Sequence, residues 1–207
     1  SDNNLGANNI TAASLTASAA SGIDLDVTIT TLTSAVVSAA GNIDISDLAG
    51  GLVVTSATTN DGNILLNATG GDLTLTSVAA SGAGDIRATT TTSGNVLLVS
   101  VTASGDDVRI SSAAAVVDGD IVDDNDITAT NLSISAVSGV GSATAIDTTV
   151  TNLEVFNSTS GDVNITNTGA LTIAAVGPLF GDAISGATNN GGNLTIIALS
   201  PLTVAAA

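Results

Sequence analysis

The stretch that decides the fold runs from Asp61 to Ile110. It reads Gly62-Asn63-Ile64-Leu65-Leu66, Gly71-Asp72-Leu73-Thr74-Leu75, Gly84-Asp85-Ile86-Arg87, Gly94-Asn95-Val96-Leu97-Leu98 and Gly105-Asp106-Asp107-Val108-Arg109-Ile110. One phrase repeats: Gly, an amide or carboxylate residue, an apolar residue, a variable one, an apolar one. Glycine turns the chain sharply because it takes φ > 0 with no Cβ clash. Asn or Asp beside it bonds to nearby backbone in the turn. Apolar residues two apart point to the same side of a strand, so Leu73 and Leu75 face inward and Thr74 outward. Two phrases make a unit of about 20 to 22 residues, the length of one β-solenoid coil.

The phrase extends in both directions. Gly22-Ile23-Asp24-Leu25-Asp26-Val27-Thr28-Ile29 alternates as a half-buried strand does, and Gly41-Asn42-Ile43-Asp44-Ile45 follows it. Downstream come Gly119-Asp120-Ile121-Val122, Asn131-Leu132-Ser133-Ile134, Asn152-Leu153-Glu154-Val155, Gly161-Asp162-Val163-Asn164-Ile165, Gly169-Ala170-Leu171-Thr172-Ile173 and Gly192-Asn193-Leu194-Thr195-Ile196. Nothing between them reads as a linker. The expectation is one all-β domain over 1–207, a parallel β-helix of about ten coils of about 20 residues. Residues 1–21 are read as an N-terminal cap or an incomplete first coil, and the uncharged run 197–207 as the last coil of a longer solenoid, an apolar cap or a donor strand. A β-sandwich is the rival, since short strands at 8–12-residue spacing fit it too. Sandwiches lean on aromatic anchors, and the only aromatics here are Phe156 and Phe180.

Composition narrows the function classes. The chain is 44% hydrophobic yet has no Trp, Tyr, Met, Cys or His. A core of Val, Ile, Leu and Ala suits stacked layers. Nineteen acids face two cations, Arg87 and Arg109, for a net charge of −17. Binding to phosphates needs Lys and Arg to displace counterions, so no nucleic acid is expected as a partner. Anionic membrane surfaces are disfavoured for the same reason, and no run reaches the roughly 18 apolar residues of a membrane span. Residues Ser1 to Asn4 do not read as a leader: there is no basic start and no apolar run. Only 10% of residues are charged, so the surface is largely Ser, Thr, Asn and Gly. Such a lysine-free, hydroxyl-rich surface points outside the cell.

Gly62–Leu66, Gly71–Leu75, Gly94–Leu98, Gly161–Ile165 and Gly192–Ile196 follow the form Gly-Asn/Asp, apolar, polar, apolar. In this the chain resembles the repetitive region of filamentous-haemagglutinin-like bacterial surface exoproteins, across most of Gly22 to Ile196. The resemblance implies a right-handed parallel β-helix displayed at the cell surface as a stalk, adhesin segment or matrix fibre.

Several features are weighed as sites. Asp118, Asp120, Asp123, Asp124 and Asp126 fall within nine residues, and carboxylate oxygens are the ligands of a hard cation such as calcium. Their spacing is not that of an EF-hand; the bland reading is a solvated acidic loop. Thr69-Gly70-Gly71-Asp72-Leu73 matches only a fragment of the calcium-binding nonapeptide. Among the Asn-x-Ser/Thr triplets, Asn157-Ser158-Thr159 is read as a loop and as the best glycan acceptor. Glycosidic hydrolysis uses two placed carboxylates, but no lysine, histidine, tryptophan or tyrosine is present to hold a sugar. Ser–His and Cys–His nucleophile schemes lack their base. No catalytic residue and no cofactor other than calcium is assigned.

The expected function is therefore an extracellular structural solenoid, either an adhesin segment or a self-assembling filament or matrix subunit. Its expected partner is itself, as a homopolymer or as the continuation of a longer solenoid, with host or matrix glycans second. The alternatives are a glycan- or ice-binding surface built on outward Thr such as Thr74, Thr172 and Thr195, and a polysaccharide-acting β-helix enzyme. Arg87 and Arg109 are about one coil apart, which predicts that they stack.

Overall fold

The computed structural model describes residues 6–122, 124–181 and 184–205. These residues are nearly all β, in parallel strands stacked as a solenoid of about eight turns. Each central turn has three short runs. One turn is Ile43–Asp47, Leu52–Val54 and Ala57–Asp61; the next is Ile64–Gly70, Leu73–Leu75 and Val78–Ala80. Successive turns pair run for run, in parallel. We call the three faces first, second and third in that order.

Stacking turns the repeated phrase into columns. On the first face Ile23, Ile43, Ile64, Ile86, Val108, Leu132 and Leu153 stand one above another. All are buried. The second face supplies Leu52, Leu73, Val96 and Val116. Branched aliphatic residues on like residues fill the interior without aromatic rings, and truncating one such leucine to alanine costs about 2–5 kcal/mol. At about 4.8 Å per coil, eight turns make a rod roughly 40 Å long.

There are fewer turns than the ten expected, because coils are longer than the sequence phrase suggests. The step grows to 24 residues between Val108 and Leu132. It reaches 31 between Val163 and Leu194.

The Gly-Asx phrase does a second job at the corners. Asn42 Oδ1 accepts from the amide of Asn63, Asn63 Oδ1 from that of Asp85, and Asp85 Oδ1 from that of Asp107, at 2.9, 2.9 and 3.2 Å. The ladder continues side chain to side chain, from Asn131 Nδ2 to Asp107 Oδ1 and from Asn152 Nδ2 to Asn131 Oδ1. The Asx side chains thus bond to the next coil rather than within their own turn. The glycines permit close stacking as well as a turn. Gly71 has φ +124°, and a Cβ there would stand 2.6 Å from the amide nitrogen of Gly51 in the coil below. Backbone at that distance leaves room for no other residue.

The segments read as caps are coils in their described parts. Ile10–Thr11 and Ser14–Ala19 pair with the second coil. At the other end Leu194–Ala198 and Leu202–Val204 pair with Val163–Asn167 and Leu171–Ile173. Neither described segment crosses the end of the stack.

Candidate functional site: a strapped charge column and an uncovered end

One outward column of the first face gathers both cations of the chain. It runs Asp24, Asp44, Leu65, Arg87, Arg109, Ser133, Glu154. Arg87 and Arg109 are partners in register, as their spacing predicts. Like charges so placed need acids nearby, and the column supplies them at both ends. Burial, and after it Asp24, pushes the Asp44 carboxyl up, while Arg87 pulls it down. Burial lowers Arg109, the neighbouring Arg87 lowers it further, and Glu154 opposes both. Arg109 Nη1 also donates to Ser133 Oγ at 3.3 Å.

The column is covered by an insertion. Ile173 pairs with Leu153, but Ala187 pairs with Val155, so residues 174–186 are added within one strand position. The described residues 174–181 of this strap run back across three coils. Its Val176 amide donates to Glu154 Oε2 at 3.0 Å, and the Phe180 ring lies over the Arg87 guanidinium, 5.5 Å from carbon to centroid. A cation over an aromatic face is attracted by the ring quadrupole. Phe180 holds φ +51°, the only positive value outside glycine among the described residues. Glu154 is fully buried, and its Oε1 has no hydrogen-bond partner there. The strap was not legible in the sequence beyond its signal as a broken period, Gly177-Pro178 followed by Phe180-Gly181.

The acidic segment is less concentrated than its spelling. Asp118 Oδ1 accepts from the Asp120 amide and Asp120 Oδ1 from that of Val122, two local turns that use carboxylate oxygens on the chain itself. Asp126 turns inward, is buried, and accepts from the Asp147 amide of the next coil at 2.8 Å. Burial, with Asp118, Asp147 and Asp120 nearby, pushes it up to about 7. Asp124 is exposed beside Asn125 and Asp147. Asp123 lies outside the described residues. Among the described residues no three carboxylates converge on a point that would hold a cation.

Asn157 is a correction. It ends the strand Asn152–Asn157 and is fully buried, not displayed on a loop. Its Nδ2 donates to the carbonyls of Ser160 and Gly161 and to Asn189 Oδ1, and its Oδ1 accepts from the Gly139 amide. It closes a corner from inside, as Asn167 does for Val150 and Gly169. The triplet has the same spelling in a loop as in an inner corner, so sequence alone could not separate them.

Outward hydroxyls line up, but not at the residues expected. Thr74 stands between Val53 and Leu97. A row of threonines stands on the third face, where Thr102, Thr128 and Thr149 occupy consecutive coils, and Thr89, Ser111 and Ser135 form a mixed row on the first.

The last described coil carries exposed apolar residues. Leu202 is 47% exposed and Val204 71%, whereas Leu171 and Ile173 directly beneath them are 1% and 8%. Leu194, Ile197 and Leu199 are exposed as well. These are apolar residues of the last described strands, which pair with Val163–Asn167 and Leu171–Ile173. Both end coils lack charge: residues 6–23 and 184–205 contain no Asp, Glu, Lys or Arg. The described acids therefore all fall between Asp24 and Asp162.

Comparison with family models, with curated proteins and with solved structures returned no match.

Proposed function

We propose that this chain is an extracellular structural solenoid, a segment of a surface adhesin or a subunit of a self-assembling filament or matrix, with no catalytic step of its own. One observation carries the reading: parallel coils stacked in continuous register around columns of buried branched aliphatic residues, with acids along the flanks. Such coils pair through their backbones along the axis, while like charge along the sides keeps rods apart. The Gly-Asx phrase and the Ser/Thr/Asn surface support placement outside the cell and the likeness to filamentous-haemagglutinin-like exoproteins. Immunogold labelling of the cells that make the chain tests it. Label on fibres or surface projections is the expected result; label confined to the cell interior overturns it.

The row Thr102, Thr128, Thr149 favours a second reading, in which the third face binds matrix or host glycans or ice through hydroxyls repeated at the coil spacing. A glycan array and an ice-recrystallisation assay with Thr128→Val as the control test it, with loss in the variant expected.

A further inference from the structure

We infer that the depression on the third face between Asn125 and Thr166 seats an uncharged sugar, held through its hydroxyl groups. This rests on the second reading above and specifies its ligand: a neutral glycan, and not ice.

Two outward columns and a lip build the depression. Asp147 and Thr166 are partners in register on successive coils. Thr149 is exposed beside them, and Thr168, which follows the partner of Thr148, stands over it. Asp124 and Asn125, which lead into the strand Ile127–Ala136, form the lip. Asp124, Asn125, Asp147, Thr166 and Thr168 line a depression of about 390 Å³, at the lower end of the range for small-molecule sites.

The hydroxyls there have a fixed polarity. Thr149 Oγ1 donates to Asn125 Oδ1 at 2.7 Å, and Asn125 Nδ2 donates to Thr128 Oγ1 at 2.9 Å. Thr149 is thereby left to accept and Thr128 to donate. Ice would have to meet a flat, open row, and the Asn125 amide bridges two of its three members. A sugar hydroxyl donates and accepts at once, so it matches a donor and an acceptor set at the coil spacing.

Charge narrows the ligand further. Asp124 is exposed, and a carboxylate has about four acceptor sites. Adjacent hydroxyls of a sugar ring donate to such oxygens in charge-assisted bonds, stronger than neutral ones. An acidic sugar is repelled. Burial first, then Asp118, Asp147 and Asp120, raise the carboxyl of Asp126, whose Oδ2 accepts the Asp147 amide, so the field beside the depression is negative. The two cations, Arg87 and Arg109, stand on the first face. A cationic sugar is attracted anywhere along the acidic flanks, so an uncharged one is the ligand that needs this geometry. Phe156 and Phe180 belong to the first face and its strap, so no ring stacks on the sugar. Hydrogen bonds alone set an affinity in the millimolar range.

Saturation-transfer NMR reads the sugar, so it works whether the full 207-residue chain is a single rod or a filament. The probes are neutral hexasaccharides of glucose, mannose and galactose, with hexagalacturonate as the charged counterpart. The variants are Asp124→Ala and Thr166→Val in the depression, and Thr58→Val lower on the same face as a control. Circular dichroism checks that each keeps the β fold. The expected result is saturable binding of a neutral hexasaccharide and at least tenfold weaker binding of hexagalacturonate. Asp124→Ala and Thr166→Val should each weaken the neutral sugar at least fivefold, and Thr58→Val should leave it unchanged. No saturable binding of any neutral probe, equal binding of hexagalacturonate, or unchanged binding in both depression variants overturns the inference. Neutral-sugar binding that Thr128→Val abolishes but Asp124→Ala and Thr166→Val leave intact removes this seat and keeps the hydroxyl-row reading. Inhibition of ice recrystallisation without sugar binding does the same, and absence of both removes the row reading as well.

Discussion

Arg109 stands directly above Arg87 in the coil stack, and Glu154 stands two coils further along the same column with the strap bonded to it. Two cations one coil apart repel, and the acid beyond Ser133 offsets part of that. Glu154→Ala removes the offset, empties a buried position and leaves the Val176 amide without its acceptor. A loss of about 2–3 kcal/mol is expected by urea unfolding, below the range for a fully buried pair because Arg109 is only half-buried. A loss under about 0.5 kcal/mol would mean that the column is electrostatically idle.

Phe180→Ala tests the strap separately. The ring over Arg87 contributes about 0.5–2 kcal/mol, since both groups are half-buried. Global unfolding should shift by no more than that, while limited proteolysis within 174–186 quickens several-fold. Faster cutting throughout the chain would show that the strap is part of the cooperative unit rather than a cover upon it.

Asp85 separates geometry from charge. Its Oδ1 accepts the Asp107 amide, yet burial and the nearby Asp107 and Asp106 push its carboxyl up. Asp85→Asn keeps the acceptor and removes the buried charge, so its melting temperature at pH 7 should rise. Asp85→Ala loses the acceptor and should cost about 1 kcal/mol. If both variants move the same way, the corner ladder does not contribute as described.

These outcomes depend on features of unequal legibility. The coil phrase at Gly62, Gly71 and Gly94 made the parallel stack readable, since period-two apolar residues and repeated Gly-Asx corners have few other folds open to them. The stacking of Arg87 on Arg109 followed from coil length alone. The strap did not, because an insertion carries no period and Phe180 finds Arg87 only through space. Asn157 was misread because a buried corner amide and a loop amide share one sequence. The Asx ladder was half legible: the residues were evident, but their partners lie about twenty residues away and depend on register.

Acidification should stabilise the fold. Burial raises Asp44, Asp47 and Asp85, and raises Asp126 from 3.8 to about 7. Asp47 Oδ2 is buried with no hydrogen-bond partner, which also favours its neutral form. Between about pH 4 and pH 7 the folded chain holds protons that the unfolded chain has released, so stability falls as pH rises through that window and levels off above it. Melting temperature should be higher at pH 5 than at pH 7.5, and Asp126→Asn should flatten the steepest part. A melting temperature that rises with pH would contradict these buried carboxyls.

Electron cryo-microscopy of the purified chain at rising protein concentration tests the central claim most directly. The account predicts unbranched filaments one solenoid wide, lengthening with concentration, with strands across the axis and a repeat of about 4.8 Å along it. Discrete rods about 40 Å long at every concentration, or rods joined side by side, would contradict it.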